Sequence, residues 1–162
     1  MANSGEQIGK LGLRLFLEKK EINLETFNRI AKDFARQLKG GQTVMFFGDL
    51  GSGKTTFVRA VMQSFGVDPA QVRSPTFNIV NTYQADGKVF YHIDVYRITV
   101  EELFELGFYD YQQPDSILFI EWAEKIIHEV QSPDYLIDLA INEDNMEARD
   151  LKIYRARSDE RC

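Results

Sequence analysis

Hydrophobic positions change period several times along the chain, and each change marks a different element. Leu11, Leu13, Leu15 and Leu17 alternate with Gly12, Arg14, Phe16 and Glu18, the period of a strand with one face buried. From Leu24 the spacing becomes three and four. Leu24, Phe27, Ile30, Ala31, Phe34, Ala35 and Leu38 form one stripe, Asn23 stands where an N-cap belongs, and Gly40-Gly41 ends the run. This predicts an amphipathic helix covering one face of a sheet. Thr43 to Phe47 is a continuous apolar run closed by Gly48, as suits a strand buried on both faces. A second helix is predicted from about Lys54 to Phe65, stopped by Gly66.

Phe77 to Tyr83 and Lys88 to Val95 both have the character of strands, joined through Asp86-Gly87 as an antiparallel hairpin. A short helix is predicted over Val100 to Leu106. Ser116 to Ile120 is another buried strand, ending on Glu121, and Trp122 to Val130 has helical spacing. Tyr135, Ile137, Leu139 and Ile141 alternate once more, and Leu151 to Tyr154 can pair back on them across a turn around Glu143-Asp144-Asn145. With neither repeat nor linker in its 162 residues, the chain is expected to form one α/β domain, its central sheet mixing parallel and antiparallel strands.

Between the first buried strand and the second helix, Gly48-Asp49-Leu50-Gly51-Ser52-Gly53-Lys54-Thr55 satisfies G-x-x-x-x-G-K-[ST] in the strand–loop–helix setting that its mechanism requires. The glycines let backbone N–H groups turn inward onto phosphate oxygens, and the helix that starts there adds the positive end of its dipole. Lys54 supplies a mobile charge for the β and γ phosphates, the Thr55 hydroxyl is placed for Mg²⁺, and Thr56 offers a further hydroxyl toward the α phosphate. The expected architecture is a P-loop NTPase-like three-layer domain, and the expected reaction is Mg²⁺-dependent hydrolysis of ATP.

Such a site needs an acid at the end of a neighbouring strand and a group that orients the attacking water. Glu121 terminates its strand in the position of a Walker B acid. Asp94 shares a strand face with His92 and Tyr96, which suggests the lining of a site; the alternatives are a solvent-facing aspartate and a hydrogen-bonded structural histidine. Trp122 either flanks the nucleotide or belongs to the core or a partner surface. Ser74-Pro75-Thr76-Phe77 lies where P-loop proteins keep a γ-phosphate switch, so that Thr76 could reach Mg²⁺, or else it is a turn leading into a strand.

Composition narrows the partners. Apolar residues make up 44% and charged residues 27%, as in globular proteins, and the formal charge of −6 (19 Lys+Arg against 25 Asp+Glu) repels DNA, RNA and anionic membrane on average. The single cysteine, Cys162, rules out a disulfide framework within the chain. Neither a secretory signal nor a membrane span is readable, and a cytoplasmic protein is expected.

Taken in order, the phosphate loop with Thr56, then Ser74-Pro75-Thr76-Phe77, His92-Ile93-Asp94-Val95-Tyr96-Arg97 and Glu121-Trp122 resemble the TsaE family, bacterial P-loop ATPases of tRNA threonylcarbamoyladenosine biosynthesis. The resemblance runs from Leu24 to Ile141. It implies an ATPase working with two protein partners, TsaB and TsaD, the latter transferring the threonylcarbamoyl group to adenosine in tRNA, with hydrolysis resetting the complex between turnovers. Contact with tRNA would come only through that complex. By position it implies Lys54 and Thr55 on phosphate and Mg²⁺, Glu121 as the metal-linked acid, Asp94 as a water-positioning or supporting acid, Thr76 as the switch threonine and Thr26 near the base. The division between Asp94 and Glu121 is left open, and nothing is carried over beyond Glu143. The rival readings are a P-loop kinase of a small metabolite, a nucleotide-gated binding module and a GTPase; the guanine-reading N-K-x-D is absent.

Overall fold

The structure, a computed structural model, describes residues 4–157; Cys162 lies outside them. Its centre is one seven-stranded sheet. In chain order the elements are α1 (Ser4–Gly9), β1 (Leu13–Ile22), α2 (Leu24–Ala35), β2 (Thr43–Phe47), α3 (Lys54–Ser64), β3 (Val80–Ala85), β4 (Lys88–Asp94), α4 (Val100–Glu105), β5 (Ser116–Glu121), β6 (Tyr135–Ile141) and β7 (Arg149–Ala156). Across the sheet the strands run β1-β7-β6-β2-β5-β4-β3. Pairing is parallel for β6/β2, β2/β5 and β5/β4 and antiparallel for β1/β7, β7/β6 and β4/β3, so the expected mixed sheet is present.

The continuous apolar runs occupy the middle because both of their faces are covered. Alternate residues of β2, β5 and β6 enter opposite cores: Val44, Phe46, Ile117, Phe119 and Ile137 pack toward α2 and α3, whereas Met45, Phe47, Leu118, Ile120 and Leu136 pack on the other face with Leu103 and Phe108. The α2 stripe buries Phe27, Ala31, Phe34 and Ala35, and Asn23 caps the helix by accepting the Thr26 N–H at 2.9 Å. Phe57 of α3 is the hub of this layer, its ring 5.7 Å from those of Phe27, Phe34 and Phe46.

Three elements depart from the sequence pattern. In β1 only Leu13 and Ile22 are buried and Leu15 is half exposed, because this is an edge strand whose register against β7 shifts between Leu15 and Leu17. The strand expected from Phe77 begins at Val80 instead; Ile79 turns left-handed (φ 65°), and Phe77 is left exposed. The helix expected over Trp122 to Val130 is replaced by a 3-10 turn at Ala123–Lys125 and further turns. Trp122 leaves β5 at φ 62° and offers no side-chain cap, yet Ala123, Ile126 and Ile127 still reach the core, so the apolar spacing is satisfied by a different backbone. Among the described residues no helix is long and apolar enough to cross a membrane.

Phe57→Ala, which empties the point where three rings converge, is expected to lower the unfolding free energy by about 3–5 kcal/mol. Urea denaturation reads this directly; a loss below about 1 kcal/mol would mean that the α2/α3 layer does not depend on Phe57.

Candidate nucleotide site

Parallel pairing brings the ends of β2, β4 and β5 together, and the phosphate motif leaves from β2. Two of its glycines are dictated by geometry. At Gly48 (φ 143°) a Cβ would stand 2.5 Å from the Leu139 carbonyl oxygen, and at Gly53 (φ 107°) it would press on the Phe27 ring at 3.1 Å. The Gly53 carbonyl then accepts the Phe57 N–H at 2.9 Å, which starts α3 directly at Lys54.

The register pairs Phe46 with Glu121 and Glu121 with Asp94. Strand alternation puts Glu121 on the face of Ile117 and Phe119, and His92 and Asp94 on the face of Phe90; both are the α3 side of the sheet. Consequently the Thr55 hydroxyl at the start of α3 donates to Glu121 Oε1 at 2.7 Å. Glu121 is 2% exposed, and His92 behind it is fully buried with Nε2 3.5 Å from the same oxygen. Burial alone would raise the Glu121 carboxyl, but the His92 ring, the Thr55 hydroxyl and the Lys54 ammonium together hold it below the ordinary glutamate range. Asp94 accepts the Tyr96 N–H at 2.8 Å, and burial pushes its carboxyl up, aided by Glu121 and opposed by that hydrogen bond, His92 and Lys54.

Lys54 is folded back on its own loop. Its Nζ donates to the carbonyl oxygens of Gly48 at 2.5 Å and Asp49 at 3.1 Å and lies 3.9 Å from the centre of the Trp122 ring. Burial lowers its pKa against the pull of Glu121, Glu124, Asp94 and Asp49. A cleft of about 410 Å³ opens over these groups, lined by Leu50, Gly51 and the stretch Gly53 to Thr56 together with Ser74, Thr76, Asp94, Tyr96, Arg97, Glu121 and Trp122. Ser52, within the same loop, is buried with a hydroxyl that finds no partner. Thr76 shares a 2.7 Å hydrogen bond with Ser74, and both residues line the cleft. The structure therefore brings Lys54, Thr55, Thr56, Thr76, Asp94 and Glu121 to one place.

Thr26 itself does not line the cleft, but its neighbours Asn23, Leu24 and Phe27 line a second hollow of about 210 Å³ that shares Gly51, Gly53 and Thr56 with it and is completed by Glu147 and Arg149. Two residues here carried no signal in the sequence. Arg149 reaches from the start of β7 to donate to the Gly51 carbonyl at 3.1 Å, while its other terminal nitrogen is tied to the Met146 and Ala148 carbonyls. Glu124, in the 3-10 turn after β5, has a buried oxygen without a partner; burial pushes its carboxyl up to about 7, further raised by Asp138 and Asp49 and eased by a backbone bond and Lys54.

No group of three or more His, Cys, Asp or Glu suited to a metal is found among the described residues. The oxygen donors present still fit Mg²⁺, which keeps several waters and takes one or two protein ligands beside substrate phosphates. Thr55 and Glu121 are already in contact and line the cleft, as does Thr76.

The sequence matches over residues 22–151 the family model described as "Threonylcarbamoyl adenosine biosynthesis protein TsaE". Similar proteins include the tRNA threonylcarbamoyladenosine biosynthesis proteins TsaE of Rickettsia felis, 38% identical over 76% of this chain and 72% of that protein, and of Aquifex aeolicus, 36% identical over 84% and 96%. That of Haemophilus influenzae is 37% identical over 76% of this chain and 80% of its own. Among solved structures, Bacillus subtilus YdiB superposes with a TM-score of 0.66 at 25% identity, covering 91% of this chain and 89% of that one.

Glu124 generates a pH-dependence that can be isolated. Its folded pKa of about 7 lies above the ordinary 4.5, so the folded state binds this proton more tightly. The resulting stabilisation is complete below about pH 4.5 and is lost as pH rises through 7, at most about 3 kcal/mol. Glu124→Gln is expected to melt higher than the unsubstituted chain at pH 8, with the gap closing toward pH 5; a gap that does not change with pH would refute this.

Proposed function

This chain belongs to the TsaE family of tRNA threonylcarbamoyladenosine biosynthesis proteins, and on that premise we propose that it binds Mg²⁺-ATP on the Gly48–Thr56 loop and hydrolyses it, acting with TsaB and TsaD in the cytoplasm. The observation that carries the reading is the 2.7 Å bond from Thr55 to Glu121, which joins the start of the phosphate-loop helix to the acid at the end of β5.

The loop N–H groups and the first turn of α3 receive the phosphate oxygens. Lys54 exchanges its carbonyl partners and the Trp122 face for the β and γ phosphates. Thr55, with Glu121 beside it, would hold Mg²⁺, and Thr76, which lines the same cleft, would supply a further hydroxyl. When bound, the ion neutralises charge on the phosphate oxygens in the transition state. Asp94, adjacent to Glu121 in the sheet and raised in pKa, is the group suited to orient the attacking water and take its proton. Water oxygen bonds to the γ phosphorus as the bond to the β-bridging oxygen breaks, leaving ADP and phosphate. Tight tRNA binding by this acidic chain alone is not required, because contact with tRNA comes through the partner complex.

Lys54→Ala should weaken ATP binding roughly 10- to 100-fold, the worth of a charge-assisted contact. Glu121→Gln should bind ATP well but lose turnover about 10- to 100-fold. Calorimetric titration and phosphate release, run with and without TsaB and TsaD, check both; equal rates in all three proteins, or a transfer of phosphate to a metabolite, would overturn the hydrolase reading.

A further inference from the structure

His92 poses a problem that packing does not solve. It is fully buried, and neither ring nitrogen has a hydrogen-bond partner. Any protonation form of imidazole carries at least one N–H, and an unsatisfied donor in the interior costs about 1–3 kcal/mol. An apolar side chain would avoid that cost. Phe90, two residues earlier on the same face, is such a side chain, and Phe119 is the cross-strand neighbour of His92 on β5. The imidazole therefore needs a reason beyond filling space.

Among the described residues, the acidic group within ion-pair distance of it is Glu121, with Nε2 3.5 Å from Oε1. That separation is a few tenths of an ångström beyond a hydrogen bond, which spans about 2.7–3.2 Å. The same Oε1 is engaged by the Thr55 hydroxyl at 2.7 Å. One buried carboxylate oxygen thus stands between two donors, and only one of them is bonded.

We infer that His92 is the positioning residue for Glu121, the donor to which this carboxylate turns when the Thr55 hydroxyl is given over to Mg²⁺. The inference rests on the nucleotide site proposed above. Glu121 closes onto Thr55, and the imidazole is left at ion-pair distance from the same oxygen without a hydrogen bond. With Thr55 engaged by Mg²⁺, Oε1 of a carboxylate that is 2% exposed would lose that hydrogen bond, and a small rotation toward Nε2 replaces it while leaving the second oxygen for the ion. The ring thereby fixes which way the second oxygen of Glu121 points, as outer partners commonly do around metal-binding carboxylates.

The test uses a non-hydrolysable ATP analogue, titrated with and without MgCl₂ into the unsubstituted chain, His92→Leu and His92→Gln. In the unsubstituted chain Mg²⁺ strengthens binding. In His92→Leu the Mg²⁺-free affinity should stay within about twofold, while the Mg²⁺ concentration giving half of the strengthening rises about 10- to 100-fold; His92→Gln, which keeps an N–H, should recover most of it. Melting without nucleotide should be no lower for His92→Leu, and His92→Met serves in its place if leucine does not fit. Mg²⁺ dependence equal in the unsubstituted and apolar variants would overturn this inference alone. Absence of Mg²⁺-linked binding in the unsubstituted chain would overturn the proposed function and this inference with it.

Discussion

The Glu121 carboxylate sits inside the protein, where a charge stripped of water and left without partners would cost several kcal/mol, and groups from three elements surround it. Thr55 and Lys54 come from the start of α3, His92 from β4, and the strand β5 itself delivers the acid to its own end. Each depends on the others being in register. A one-residue slip between β2 and β5 would move Glu121 to the opposite face of the sheet, away from α3. The apolar runs of β2 and β5, buried on both faces, are what make such a slip prohibitive.

The strand order explains why the cleft opens where it does. β2 lies between β5 and β6, and the chain reaches one neighbour through α3 and the β3–β4 hairpin before crossing to the other. Open sheets bind ligands at such reversals, beyond the carboxyl ends of the parallel strands. The antiparallel additions on both sides, β3 against β4 and β7 against β6, extend the platform and add contacts of their own. The β6–β7 turn brings Arg149 back to the Gly51 carbonyl, so a hairpin remote in sequence braces the loop.

What was legible in the sequence follows from range. Thr43–Phe47 and Ser116–Glu121 were readable because burial on both faces leaves an unbroken apolar run, and the Gly48–Thr55 loop because its motif sets glycines and a Lys-Thr pair at fixed offsets. The α2 cap at Asn23 was readable for the same local reason. Trp122 to Val130 misled because its spacing satisfies a helix, while the left-handed turn at Trp122 is a backbone state that no apolar pattern encodes. Glu124 and Arg149 were silent because their importance lies in what the fold sets beside them: Arg149 meets Gly51 across 98 residues, and Glu124 gains its raised pKa from burial and from Asp138 and Asp49.

The charges around Lys54 bear on which form of nucleotide suits the cleft. Asp49, Asp94, Glu121 and Glu124 all act on this single ammonium, whose own pKa is lowered by burial, and its resting partners are carbonyl oxygens and an aromatic face. A free polyphosphate entering this cleft would meet carboxylates already present, with Lys54, the exposed Arg97, the loop N–H groups and the roughly half-charge of the α3 terminus to set against them. On the proposed reading a nucleotide that carries its own divalent cation removes most of that repulsion and gives Thr55 and Glu121 a common positive partner. On that reading the same carboxylates that disfavour the bare anion favour the metal-bound one, and the acidity of the cleft would select Mg²⁺-ATP over free ATP.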